Sequence, residues 1–142
     1  MTNYPIAFQA RAKSPAGIES SWKSESQNIS NICAIPAEFE GPGGGLSPED
    51  LFAQALTNCF IATFKVYAEK SKLQFVDVSV QTELIVDLNE FQKPVMRKCS
   101  LNVTITGGEK PERIKIIAEK AFKSGFIINS VKTEMSMKLE LL

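Results

Sequence analysis

The chain has no histidine among its 142 residues. That removes Ser-His-Asp and Cys-His catalysis, zinc-hydrolase sites and imidazole ligation together. Acid–base or nucleophilic work is left to Cys, Asp, Glu, Lys, Arg or Tyr, with no metal or other cofactor implied. Charge of one sign is equally lacking: 16 Lys and Arg offset 16 Asp and Glu. There is no basic excess to attract nucleic acid, and the few aromatics are not interleaved with Arg or Lys clusters. No uncharged run approaches the roughly 20 residues of a membrane span. Met1-Thr-Asn-Tyr-Pro5 lacks the basic-then-apolar pattern of a signal peptide, so the sequons at Asn28 and Asn102 carry no weight and a cytoplasmic protein is expected. Three widely spaced cysteines make no disulfide framework and fit reduced thiols. The length suits one domain, residues 1–142, able to bury a core.

What is present centres on Gly41-Pro-Gly-Gly-Gly-Leu-Ser47-Pro48-Glu49-Asp50 and the helix that follows to about Lys70. Ser47 suits the N-cap, Pro48 the first helical position, and Glu49 and Asp50 the electropositive first turn. Asp50 stands three after Ser47, a capping-box spacing. Leu51 to Phe64 carries no charge and is apolar on every side, which predicts a helix buried all round at the centre of the fold, with Cys59 inside it.

Upstream, residues 4–35 predict extended segments. Ile6–Ala10 alternates, Ser14-Pro15-Ala-Gly17 marks a turn, and Ile18–Ser24 and Asn28–Ile35 continue as strands. Downstream, Ser71-Lys72 breaks the helix. Val76–Val86 and Cys99–Ile105 alternate as a hairpin turned near Asp87–Glu90. Pro111 opens a second helix with an Ile114, Ile117, Ala118, Ala121, Phe122 stripe, and Gly125 is placed to terminate it. Val131–Leu141 is a final alternating strand. The order predicts an α+β domain with helices on one face of antiparallel sheet.

Cys59 is the first candidate for chemistry. Cysteine is often a small buried hydrophobe, and a thiol in a purely apolar site is inert. Reactivity needs a nearby cation: Arg11, the only arginine of the N-terminal half, folded over Cys59 would stabilise a thiolate, and a carboxylate would hold that arginine. Glu49 is the candidate carboxylate, although a first-turn acid ordinarily serves the helix dipole. Cys33 and Cys99 lie in strand-like segments and read as packing residues. Gly41–Gly45 is no phosphate loop, because the P-loop lysine is missing.

Together these residues resemble the OsmC/Ohr family, the osmotically inducible protein C and organic hydroperoxide resistance proteins. The likeness rests on Gly41-Pro-Gly-Gly-Gly-Leu-Ser-Pro-Glu49-Asp-Leu-Phe-Ala-Gln-Ala-Leu-Thr-Asn-Cys59-Phe60, with the later strands and helix in matching order. It implies an OsmC-like fold, antiparallel sheets packed on a long buried central helix and a second helix, in an intertwined homodimer. It also implies a thiol-dependent peroxidase that reduces organic hydroperoxides. Cys59 would attack the peroxide and become a sulfenic acid, Arg11 would activate it and Glu49 would orient the arginine. The family's second, resolving cysteine follows the second helix. Here Gly125 stands in its place and Phe126 in that of the next proline. An external thiol would therefore have to reduce the oxidised Cys59.

Spacing adds one inference. Glu49 and Cys59, ten residues apart, lie roughly 15 Å apart along one straight helix and cannot meet within it. Two such helices antiparallel about a two-fold axis near Gln54 would bring Glu49 of one chain level with Cys59 of the other, an isologous dimer with composite sites. An apolar pocket lined by Phe52, Phe60 and Phe64 would favour alkyl or lipid hydroperoxides. The alternatives are a non-catalytic member of the fold binding an apolar small molecule, and a single-cysteine redox sensor.

Overall fold

The computed structural model describes residues 2–142, and it divides into two compact units, one ending at Leu51 and one spanning Phe52–Leu142. In the first unit, β1 (Arg11–Lys13), β2 (Trp22–Ser26) and β3 (Ile29–Cys33) form an antiparallel sheet in that order. Gln27 and Asn28, both at positive φ, make the two-residue turn between β2 and β3. Ile6–Ala10, expected as a strand, is exposed and outside the ladder, and pairing begins only at Arg11.

The glycine-rich loop closes back on β3. The Leu46 N–H donates to the Ile32 carbonyl at 2.9 Å, and the Ala34 N–H to the Leu46 carbonyl at 3.0 Å. A Cβ at Gly41 would run into the Ile35 carbonyl, so close backbone approach explains that glycine. Little of this unit is buried. Cys33 and Ala34 are covered, while Phe8, Ile29, Ile32 and Phe39 are exposed.

The capping-box spacing produces a reciprocal cap. The Asp50 N–H donates to the Ser47 hydroxyl at 3.0 Å, and the Asp50 carboxylate accepts from the Ser47 N–H and O–H at 2.9 Å each. From it runs α1 (Pro48–Lys70).

The second unit holds the main core. After a break in which Lys72 takes a positive φ, β4 (Asp77–Leu88) and β5 (Pro94–Thr106) form the expected hairpin. Asn89 organises its turn, its side-chain oxygen accepting the N–H groups of Phe91 and Lys93 at 2.9 and 3.1 Å. Next come α2 (Pro111–Ser124), a 3-10 turn at Ile128–Ser130 and β6 (Glu134–Leu141). β6 lies parallel to β5, so this sheet is mixed, not antiparallel throughout. The intervening α2 returns the chain to the same end of the sheet, as a parallel crossover requires.

Alternation in β5 buries Cys99, Leu101, Val103 and Ile105 on one face. They pack with Leu56, Cys59, Phe60, Phe64 and Ala68 of α1 and Ile114, Ala118 and Ala121 of α2. Thr57 ties α1 to β4 through its hydroxyl, 2.5 Å from that of Thr82.

The expectation that α1 is buried all round is met on one face only. Gln54, Asn58, Ala62 and Val66 form an exposed row at i, i+4 spacing. One sheet and one helix can cover only one side of a helix. Among the described residues no helix is long and apolar enough to cross a membrane.

Candidate functional site

Cys59 sits midway along α1 in the second unit, 8 % exposed and between the fully buried Leu56 and Phe60 in the core face. Its nearest structural boundary is the segment leaving α2. A Cβ built on Gly125 would lie 2.7 Å from the Cys59 Sγ and 3.3 Å from Cδ1 of Ile128. Gly125 has φ −60° and ψ 131°, an extended conformation that any residue adopts. It therefore ends α2 without the left-handed cap that a glycine there leads one to expect. Its missing side chain is explained by the sulfur, because the Cys59 thiol fills the space a side chain would take.

The segment beyond Gly125 is tightly tied. The Asn129 side-chain amide donates to the carbonyls of Lys123 and Gly125 at 2.7 and 2.8 Å, and its backbone N–H donates to the Gly125 carbonyl at 3.0 Å. The Ser130 hydroxyl donates to the Phe126 carbonyl at 2.6 Å. The bond to Lys123 satisfies a carbonyl that the end of α2 leaves without a partner, and the others tie the turn that follows it. Motif reading passed over Asn129 and Ser130. The available signal was an Asn-Ser pair just past a helix-ending glycine, a common local capping pattern.

Of the three phenylalanines expected around a substrate pocket, Phe60 and Phe64 are fully buried in the core. Their rings stack at 5.9 Å, and Phe64 meets Phe75 edge-on at 5.2 Å. Both stand on the α1 face turned to the sheet, where packing leaves no room for a ligand. Phe52 alone of the three lines a cavity, of about 930 Å³. Its other walls include Val95, Met96 and Val131, with charges of both signs from Arg97, Lys132, Glu90 and Glu134.

Arg11 and Glu49 belong to the first unit. Arg11 stands on β1 directly across from Glu25 on β2, and the guanidinium Nε donates to the Glu25 carboxylate. The Ser30 hydroxyl also donates to that carboxylate, at 3.2 Å. The bond from Arg11 is the main cause that holds the Glu25 pKa below its ordinary value. The carboxylate on Arg11 is thus Glu25, a partner that sequence spacing did not suggest. Glu49 lies in the first turn of α1, beside the Ser47–Asp50 cap.

The three cysteines are free thiols and all are buried. Cys99, on the inner face of β5, has its pKa raised by burial, in keeping with its reading as a packing residue. Among the described residues no cluster of His, Cys, Asp and Glu could hold a metal ion.

Fold and site together define a class: an α+β protein whose central helix carries one buried thiol, packed against the glycine that ends the second helix. The OsmC-like protein family model matches residues 41–140, and the chain belongs to that family. It is 24 % identical over 140 residues to the uncharacterized protein YmaD of Bacillus subtilis, covering 94 % of this chain and 91 % of that one. It is 25 % identical over 138 residues to an organic hydroperoxide resistance protein of Xanthomonas axonopodis pv. citri, covering 96 % and 95 %. Among solved structures, an OsmC-like protein of unknown function from Vibrio cholerae superposes with a TM-score of 0.83 at 19 % identity, covering 95 % and 99 % of the two chains.

Proposed function

We propose that this protein is a thiol-dependent peroxidase for organic hydroperoxides, working in the cytoplasm, with Cys59 as nucleophile and an external thiol as reductant. The observation that carries the reading is the contact between Gly125 and the Cys59 sulfur. It supports a site in which hydrogen at Gly125 stands where the family's second cysteine has its side chain. Family membership and a relative named for organic hydroperoxide resistance support the substrate class.

The Cys59 thiolate attacks the terminal oxygen of the hydroperoxide and the O–O bond breaks. The alkoxide leaves and takes a proton as the alcohol, and the sulfur becomes a sulfenic acid. A reducing thiol then attacks that sulfur and expels water, giving a mixed disulfide. A second reducing thiol releases Cys59 and leaves as the oxidised disulfide. In this reading Arg11, held by Glu25, supplies the positive charge that favours the thiolate, and Glu49 is a second carboxylate for the site. The assembly is a homodimer in which these groups come from the partner chain. The exposed Gln54–Asn58–Ala62–Val66 row of α1 and the uncovered apolar side chains of the first unit support that arrangement.

The test is consumption of an alkyl hydroperoxide with dihydrolipoamide, comparing wild type with Cys59→Ser and following Cys59 by peptide mass. Sustained turnover that the variant loses is the expected result. One stoichiometric oxidation without turnover replaces the peroxidase with a redox sensor, which the missing thiol at 125 also favours. An inert Cys59 replaces it with a protein that binds an apolar small molecule.

A further inference from the structure

We propose that Asn129 is a positioning residue for Cys59: its side-chain amide clamps the backbone of Gly125 against the sulfur and thereby sets how open the thiol is to reagents. The inference deepens the peroxidase reading, since it gives a reactive Cys59 a gate. The clamp itself can be tested on the bare thiol without peroxide.

The reasoning begins with space. Gly125 is buried and leaves no room for even a Cβ beside the Cys59 Sγ. An atom added to that sulfur, whether a sulfenic oxygen or an alkyl carbon, must find volume elsewhere or push the Gly125 backbone back. How readily that backbone yields is decided by what holds it. The Gly125 N–H continues the helix by donating to the Ala121 carbonyl at 3.1 Å. The Gly125 carbonyl is held twice by Asn129, from its backbone N–H at 3.0 Å and its side-chain amide at 2.8 Å. The other amide hydrogen reaches the Lys123 carbonyl at 2.7 Å, so one planar group bridges both sides of the glycine.

Asn129 is exposed, so water can replace its amide donors when they are removed. Losing them should loosen the segment without unfolding the core. The same segment ends at Ser130 and Val131, which line the 930 Å³ cavity. One end of a short, clamped stretch thus abuts the sulfur and the other borders that cavity.

The experiment measures the rate at which iodoacetamide alkylates Cys59, followed by peptide mass across pH. It uses wild type, Asn129→Ala, Asn129→Asp and, as a control, Ser130→Ala. Asp keeps the shape of Asn but cannot donate to the two carbonyls. Both Asn129 variants should raise the plateau rate about fivefold or more, as expected for losing roughly one net hydrogen bond. For Asn129→Ala, which adds no charge, the midpoint of the pH profile should stay in place, because access changes and thiolate chemistry does not. Ser130→Ala, which frees only the Phe126 carbonyl, should stay within about twofold of wild type.

Folded Asn129 variants that react at the wild-type rate would overturn the proposal. So would an equal rise in Ser130→Ala, or a moved midpoint in place of a raised plateau in Asn129→Ala. If the variants do not fold, amide exchange in the wild type decides. Protection of the Gly125 and Asn129 N–H groups matching that of the last turn of α2 is expected, and exchange at the rate of an open chain refutes the clamp.

Discussion

Gly125→Cys turns the central contact of the site into a measurement. A Cβ at this position lies 2.7 Å from the Cys59 Sγ. In a disulfide, with S–S about 2.04 Å, each Cβ lies about 3 Å from the opposite sulfur. The new side chain therefore needs to shift by only a few tenths of an ångström to bond. Its backbone, at φ −60° and ψ 131°, imposes no penalty on a non-glycine residue. In the reduced variant two sulfurs crowd a space built for one, and overpacking of this kind costs about 1–3 kcal/mol. Oxidation relieves the crowding and closes the chain between residues 59 and 125, a loop worth about 4 kcal/mol by chain entropy. The oxidised variant should melt about 10 °C above its own reduced form. Thiol counting should fall from three free groups plus the new one to two after mild diamide treatment, with the 59–125 bridge found by peptide mass. Four persistent free thiols in a folded variant would refute the placement of Gly125 over Cys59. Under the peroxidase reading the same variant should gain turnover with a dithiol reductant.

Two further outcomes follow from local physics. Ser47→Ala removes the hydroxyl that caps α1 and should cost about 1 kcal/mol, readable as a lower urea midpoint at unchanged slope. Cys99 has a raised pKa, so the stability it supports is intact below the ordinary thiol value of 9.0 and is lost as pH rises above it. Cys99→Ala should accordingly show a shallower fall of stability between pH 8 and pH 10 than wild type, measured by urea unfolding at each pH; an unchanged slope would mean that Cys99 does not hold its proton through burial.

Local patterns made much of the fold legible. Ser47, Pro48 and Asp50 mark the start of α1 because capping involves residues three apart, and the alternation of β4, β5 and β6 reports one buried face directly. The helix after Pro111 was readable from its stripe for the same reason. The parallel pairing of β6 was not readable, since alternation gives a strand its faces and says nothing of its direction. Nor was the depth of Phe60 and Phe64: an apolar side chain on α1 fits a pocket wall and a packed core equally well until the sheet is in place.

The site divides in the same way. The glycine loop and helix motif singled out Cys59 from sequence alone, and the glycine at 125 was visible as a missing thiol. The pairing of Arg11 with Glu25 depends on the register of β1 on β2, which no spacing rule supplies. The role of Gly125 belongs to the tertiary structure. Sequence offered it as a helix terminator, where glycine is favoured for its backbone freedom, whereas its backbone is ordinary and its smallness makes way for the Cys59 sulfur. By itself the sequence determined the elements, the caps and the candidate nucleophile, because these follow from interactions between residues near in the chain. Only tertiary structure decided what each side chain faces, because Cys59 and Gly125 are brought together by the packing of α1 and α2 and by nothing local to either.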